Sequence, residues 1–588
     1  MSYDQNPFDP YERIGTTGGL PGSVRRRGKR RFPRLSPKAW FGLVAVVLLV
    51  VWWNSGSDAK QVAAAGSEGN VGLTLDAPPG GSERGPDVPV RNPVSEPERA
   101  TPQASVAKPK QAPSQPALAK SLEGAIGTWM AKASKLSKGK VNAQNTVVAV
   151  HVRDLDGRVW VDRNTSKALV PASNLKLLTC TTAVLLAEPG ARFDTPFETA
   201  GTIQAGVLSG HLVARAGADP WYVDGGDGSL DRWLDPLAQA LKDAGIQKVT
   251  GALVLDEGDF AQPGPAPEWP DPKDYWQEYC ALSGGFSANA GCLTALLSPS
   301  AVGSEATTQI RPRGTGLVRS DARVTTVAKR KPLTVAVEAR AGKLIVRGSL
   351  PADVPRYEAR FAHPDPVDLF GYAVVDGLKR RGITIQGGFE RRRNAPPGKS
   401  LVVISSPLLD ALQPILNESN NSVADQLFLW LGHRFGGEGT RVGGAKAVRI
   451  ALDTLGVTTT DWVQVDGSGL SKANRVRADQ LTALLAKVLG RQDEAAWAFR
   501  RALPVAGTSG TLERRMQDGA AFRNVLAKTG WVEGASALSG LVQTKGGDQV
   551  VFSILVDYPS YPGLNPSVFK PMQDELCEIL AGFQAGVQ

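Results

Sequence analysis

The chain has 588 residues, 42% of them hydrophobic, and a formal charge of +10, so it can bury more than one core and is no small peptide. The charge is not a nucleic-acid signature. Residues 1 to 38 hold nine Lys/Arg against Asp4, Asp9 and Glu12, a net +6, which leaves only +4 for the other 550 residues.

In chain order, the first element is this basic tail, ending at Lys38. Ala39 to Trp53 follows, fifteen residues without a charge, with Trp40, Trp52 and Trp53 near its ends. Cations followed by an apolar run with flanking tryptophans predict a membrane element with a cytoplasmic N-terminus and an exported remainder. Fifteen residues is shorter than the ~20 that span a bilayer, and Ala63-Ala64-Ala65 offers a processing site, so both an anchor and a cleaved signal fit; the long basic segment favours the anchor.

Residues 54 to 120 are rich in Pro, Gly, Ser and Ala with no apolar period, which predicts an extended linker. Order begins around Leu122. Thr146 to Val152 alternates as a strand, Asp156-Gly157 marks a turn, and Val159 to Val161 returns. Leu175 to Leu186 is apolar nearly all round, as a central buried helix is, and Pro189-Gly190 ends it.

From 193 to 398 the pattern changes to short strands such as Val249 to Leu255, one amphipathic helix near Leu230 to Ala244, and many Gly and Pro. This region reads as an insertion between two flanking parts of one domain, 121–192 and 399–588. Helical patterns lie at Asp368 to Arg380 and at Leu408 to Phe435, the latter broken at Asn417-Glu418-Ser419. Ser539 to Gln543 and Val550 to Asp557 alternate as strands, and Val568 to Phe583 closes the chain as a helix.

Four cysteines occur, Cys180, Cys280, Cys292 and Cys577. Cys180 and Cys577 sit in apolar helical patterns, as buried thiols do. Cys280 and Cys292 are twelve apart in a turn-rich region of an exported chain, where a bridge can form. The four histidines, His151, His211, His363 and His433, have no ligand spacing, so neither a metal nor another cofactor is expected.

Three strings carry chemistry. SxxK occurs at Ser57, Ser105, Ser137, Ser173 and Ser567, and alone it means little. Only Ser173 opens a buried helix with further partners downstream. There i and i+3 share a face, so Lys176 stands beside the Ser173 hydroxyl in low dielectric, where a lysine loses proton affinity and becomes a base. SxN occurs at Ser287 and Ser419, and KTG once, at Lys528. The order Ser173, Ser419, Lys528 places each member in an apolar, structured setting. Such a set hydrolyses a peptide bond without histidine or metal.

These strings, together with Pro171-Ala172-Ser173-Asn174, Gly217-Ala218-Asp219-Pro220, Asp466-Gly467-Ser468-Gly469-Leu470-Ser471 with Asn474, and Ala506-Gly507 to Gly510-Thr511-Leu512, make the chain resemble peptidase family S13. These are the D-Ala-D-Ala carboxypeptidase/endopeptidases, the class C low-molecular-mass penicillin-binding proteins. The resemblance runs from about Leu122 to the C-terminus.

It implies an α+β penicillin-binding/serine β-lactamase-like transpeptidase domain, an antiparallel sheet between helices, with a mostly β, two-lobed insertion. It also implies a Cys280–Cys292 disulfide, which some members carry. The implied substrates are peptidoglycan stem peptides, with β-lactams as acylating inhibitors, on the outer side of the cytoplasmic membrane. A β-lactamase-like hydrolase and a silent wall-binding protein are the alternatives.

Carried onto this sequence, Ser173 attacks the carbonyl of the penultimate D-Ala, Lys176 takes its proton, and Ser419 relays a proton to the leaving amine. Asn421 holds Lys176 and the substrate amide. Lys528 and Thr529 bind the terminal carboxylate, Gly530 gives room for the substrate backbone, and Ser468 lies in the substrate-binding group. The N–H groups of Ser173 and Trp531 form the oxyanion hole. Two positions depart from relatives: Asn420 where the wider superfamily often has Asp, and Trp531 where a Thr or Ser usually follows KTG.

Overall fold

The structure, a computed structural model, describes residues 115–221, 229–313, 323–340 and 343–584. The basic tail, the apolar run 39–53 and nearly all of the linker expected at 54–120 lie outside the described residues. Among the described residues no helix is long and apolar enough to cross a membrane.

The first described helix, Pro116–Leu136, begins earlier than the sequence pattern suggests. Pro116 has no N–H to lose at the first helical position. Leu118, Leu122, Ala125, Ile126, Met130 and Ala133 then form a buried stripe at helical spacing, which the Ala- and Lys-rich composition obscures.

A five-stranded antiparallel sheet carries the catalytic part, in the order Val525–Val532, Ala535–Gln543, Gln549–Asp557, Val147–Asp154, Val159–Arg163. Its inner strands are buried on both faces because helices cover both. Val148, Val150, Val152, Phe552 and Ile554 face one core with the terminal helices Pro116–Leu136 and Lys570–Gly582. Ala149, Val551, Leu555, Ala537 and Leu541 face the other, with the helix Leu175–Leu186 at its centre. The two-residue period thus divides one sheet between two cores.

Every residue from Leu175 to Val184 is buried. The helical run at Leu408 to Phe435 is broken as its sequence implies: Leu412–Leu416, then the Ser419 turn, then Asn421–Leu431. Asn420 caps the second piece, its side chain accepting from Val423 N at 3.0 Å. That is work a short Asx side chain does equally well as Asn or Asp.

The insertion has two parts on a shared apolar core. One is a mixed sheet built on Arg192–Gln204 and Val207–Arg215, with parallel pairs such as Leu212↔Leu253 and Phe389↔Leu253 and the helices Ser229–Asp243 and Pro366–Arg380. The other consists of two three-stranded sheets between Cys292 and Ala362. Strand Lys399–Pro407, placed after the insertion by sequence, pairs with Arg192–Gln204 and closes it at Pro407. The boundary moves because pairing across about two hundred residues leaves no local trace.

The expected Cys280–Cys292 disulfide is not formed: all four cysteines are free, buried thiols. Cys280 ends a single helical turn, Glu278–Cys280, with its thiol toward Tyr279, whereas Cys292 starts a strand with its thiol toward Arg360. Twelve residues of separation do not fix side-chain direction, which a disulfide requires.

Candidate active site

The turn that presents Ser173 is Ala172–Asn174, immediately before the helix Leu175–Leu186. Ala172 has φ +47°, and Ser419 has φ +65°. Left-handed conformations of non-glycine residues cost about 1–3 kcal/mol each and survive where packing holds them, often at functional sites.

Lys176, fully buried, makes three contacts through Nζ: Asn421 Oδ1 at 2.6 Å, the Ser468 carbonyl at 2.6 Å and Ser173 Oγ at 3.0 Å. The first two are pure acceptors and take two of the amine's hydrogens. The third tetrahedral direction points at Ser173. In the neutral amine that direction is the lone pair, aimed at the serine hydroxyl. The arrangement therefore suits proton abstraction from Ser173.

Lys528, also fully buried, donates to Ser419 Oγ at 2.8 Å and to the Thr529 carbonyl at 3.0 Å. Burial pulls Lys176 down to about 8, although Asp425 and Asp466 favour its charge. Burial pulls Lys528 well below the ordinary lysine range, and Lys176 pushes it further. Among the described residues no carboxylate opposes that shift; the neighbour that opposes it is Cys180, a thiol that burial itself pushes up and keeps protonated.

Sequence reasoning missed the layer beneath these groups. Asp425 Oδ1 accepts from Gly467 N at 2.7 Å and Ser468 N at 2.9 Å. Asp466 accepts from Gly469 N, Ser471 N, Asn474 Nδ2 and the Trp269 indole at 2.8 to 3.1 Å. Together they fix the loop whose carbonyl holds Lys176. A lone Asp inside the apolar run Val423 to Leu431 was the available signal for Asp425.

Ser468 was expected to bind substrate, and the structure corrects this. Its side chain is enclosed, Oγ accepting from Leu470 N at 3.3 Å, and its carbonyl serves Lys176. Asp219 is structural too, accepting from Trp221 N and Ser406 Oγ, both at 2.7 Å.

Gly530 meets the nucleophile turn directly, since a Cβ there would stand 2.9 Å from the Pro171 carbonyl and 3.1 Å from Ser173 N. On the same strand Ala527 N–H points away from the sheet, to the Pro504 carbonyl. By the two-residue period Thr529 and Trp531 direct their N–H groups to that open side. Asn174 ties strand to helix: its amide, oriented so that both ends are satisfied, donates to the Lys528 carbonyl at 2.8 Å and accepts from Ser539 Oγ at 2.7 Å. Thr529 lies next to Lys528, half-buried, and its hydroxyl donates to Thr511 Oγ1 at 2.9 Å.

The site opens into a cleft of about 1050 Å³ lined by Ser173, Asn421, Gly469 and Trp531, with Asp274 and Lys472 among its charged walls. Sheet, central helix and two serines, Ser173 and Ser419, each hydrogen-bonded to its own buried lysine, define an active-serine, penicillin-binding-type hydrolase. The chain belongs to the D-Ala-D-Ala carboxypeptidase 3 (S13) family, whose sequence profile matches residues 133–581, and it is a serine DD-peptidase.

It is 32% identical over 427 residues to a D-alanyl-D-alanine carboxypeptidase of Actinomadura sp. (strain R39), covering 69% of this chain and 76% of that protein. Among solved structures, penicillin binding protein 4 (dacB) from Haemophilus influenzae superposes with TM-score 0.59 at 23% identity, covering 76% of this chain and 99% of the other. The same protein complexed with a β-lactam gives TM-score 0.57 at 22% identity, with 77% and 100% covered.

Proposed function

We propose that this chain hydrolyses the D-Ala–D-Ala bond of peptidoglycan stem peptides through an acyl-enzyme on Ser173, with Lys176 as base, and that β-lactams acylate the same serine. The single observation that carries the reading is the three-point hold on Lys176 Nζ, which leaves one direction of a buried amine aimed at Ser173 Oγ.

Ser173 Oγ attacks the penultimate D-Ala carbonyl as its proton passes to Lys176. The developing oxyanion is met by the N–H groups of Ser173 and Trp531, a contribution of roughly 3 to 4 kcal/mol per donor in other hydrolases. Ser419, hydrogen-bonded to Lys528, relays the proton taken from Ser173 to the leaving amine, and water then hydrolyses the ester. Asn421 orients the base and the substrate amide.

The charge balance favours a carboxylate-bearing substrate. Among the described residues no carboxylate acts on Lys528, and a terminal D-Ala carboxylate supplies one. Once Lys528 is charged, repulsion disfavours charge on Lys176, so substrate binding prepares the base. A cleft much larger than a dipeptide also admits a cross-linked stem, and endopeptidase action belongs to the same proposal. The basic tail followed by the apolar run 39–53 supports a reading in which the enzyme sits at the cytoplasmic membrane with its catalytic part outside.

The test is fluorescent penicillin labelling beside mass spectrometry of muropeptide products. The wild-type chain forms a covalent adduct and releases D-Ala, and Ser173→Ala does neither. Product formation that survives Ser173→Ala would remove this serine from the chemistry.

A further inference from the structure

The strand that follows KTG has no second hydroxyl. Trp531 stands there instead, 56% exposed, with its indole toward the Tyr558 hydroxyl. A carboxylate is an acceptor only and is bound by converging donors, so one donor is missing from this strand.

A hydroxyl from another segment stands beside Thr529. The turn Gly510–Leu512 packs between the edge strand and the residues just before Ser419, so close to Asn417 that a Cβ on Gly510 would lie 2.7 Å from the Asn417 carbonyl. This places Thr511, exposed, at the end of the site that holds Lys528 and Ser419. Thr529 Oγ1 donates to Thr511 Oγ1 at 2.9 Å, so this pairing leaves the Thr511 proton uncommitted to Thr529. Two hydroxyls at that spacing can each turn a proton onto one carboxylate.

We propose that Thr511 is a substrate-binding residue, the third donor beside Lys528 and Thr529 to the terminal carboxylate of the departing D-Ala, in place of the hydroxyl that Trp531 lacks. This rests on the DD-peptidase reading above. It assigns preference for free D-Ala ends to a residue outside the three motif strings.

The test compares kcat/KM on an acyl-D-Ala-D-Ala peptide and on the same peptide with a C-terminal amide, using the full chain. Thr511→Val lowers the acid rate roughly tenfold while the amide rate holds, the size expected for losing one hydrogen bond to a charged group. Thr511→Ser restores the acid preference, and Thr511→Ala repeats the loss without the valine's bulk. Equal losses on both peptides, or no loss on either, overturn the role of Thr511 alone. A wild-type chain that cleaves neither peptide and takes no penicillin label overturns the DD-peptidase reading as well.

Discussion

Asn421 Nδ2 donates to the Tyr279 carbonyl at 2.8 Å, so a residue of the inserted region fixes the amide that in turn fixes the Lys176 amine. The insertion is thereby part of the catalytic geometry as well as a wall of the cleft.

Asn421→Asp removes the donor to Tyr279 and puts a carboxylate against Lys176. An opposite charge at this distance raises a lysine's pKa, so the pH at which penicillin acylation becomes fast moves up by roughly one pH unit or more. Stopped-flow acylation across pH 6 to 11 measures it, and an unmoved profile contradicts the assignment of Lys176 as base.

In the wild-type chain the neutral amine is the active form. Acylation therefore rises with pH up to about 8 and levels off above it, falling about tenfold per pH unit on the acid side. The stability effect has a defined sign. Lys176 binds its proton less tightly folded than unfolded, so between about 8 and the ordinary lysine value of 10.5 the unfolded chain holds more protons. Its contribution to stability rises across that window and is flat below it. Comparing urea midpoints at pH 7.5 and 9.5 for wild type and Lys176→Met isolates this term.

Gly530→Ala places a methyl 2.9 Å from the Pro171 carbonyl, backbone that cannot give way without moving the nucleophile turn. A loss of ~1–3 kcal/mol in stability is expected, with penicillin labelling reduced far more. Thermal unfolding beside labelling measures both, and an unchanged labelling rate would show that the strand stands further from Ser173.

The free thiols predict that denaturing alkylation without reductant modifies all four cysteines, and that reductant leaves the thermal midpoint unchanged. Intact mass after alkylation decides it, two labels instead of four marking a Cys280–Cys292 bridge.

Local pattern carried a large share of this protein. The all-round apolar run from Leu175 marks the central helix, the alternation at Val550 to Asp557 marks a core strand, and the spacing of Ser173 and Lys176 puts both on one helix face. Each of these depends on residues within a few positions of one another, where side-chain periodicity fixes direction.

Long-range pairing was not legible. Lys399–Pro407 joins the insertion through a partner some two hundred residues earlier, and Ser468 gives Lys176 a carbonyl instead of meeting substrate. The Tyr279 contact to Asn421 and the Thr511 contact to Thr529 belong to the same class. Which groups the reaction uses can be read without coordinates, because hydroxyls, amines and apolar periods are written residue by residue. Which acceptors leave Lys176 one direction toward Ser173 follows from the fold alone, since an amide oxygen from Asn421 and a backbone carbonyl from Ser468, far apart in the chain, converge on one buried nitrogen.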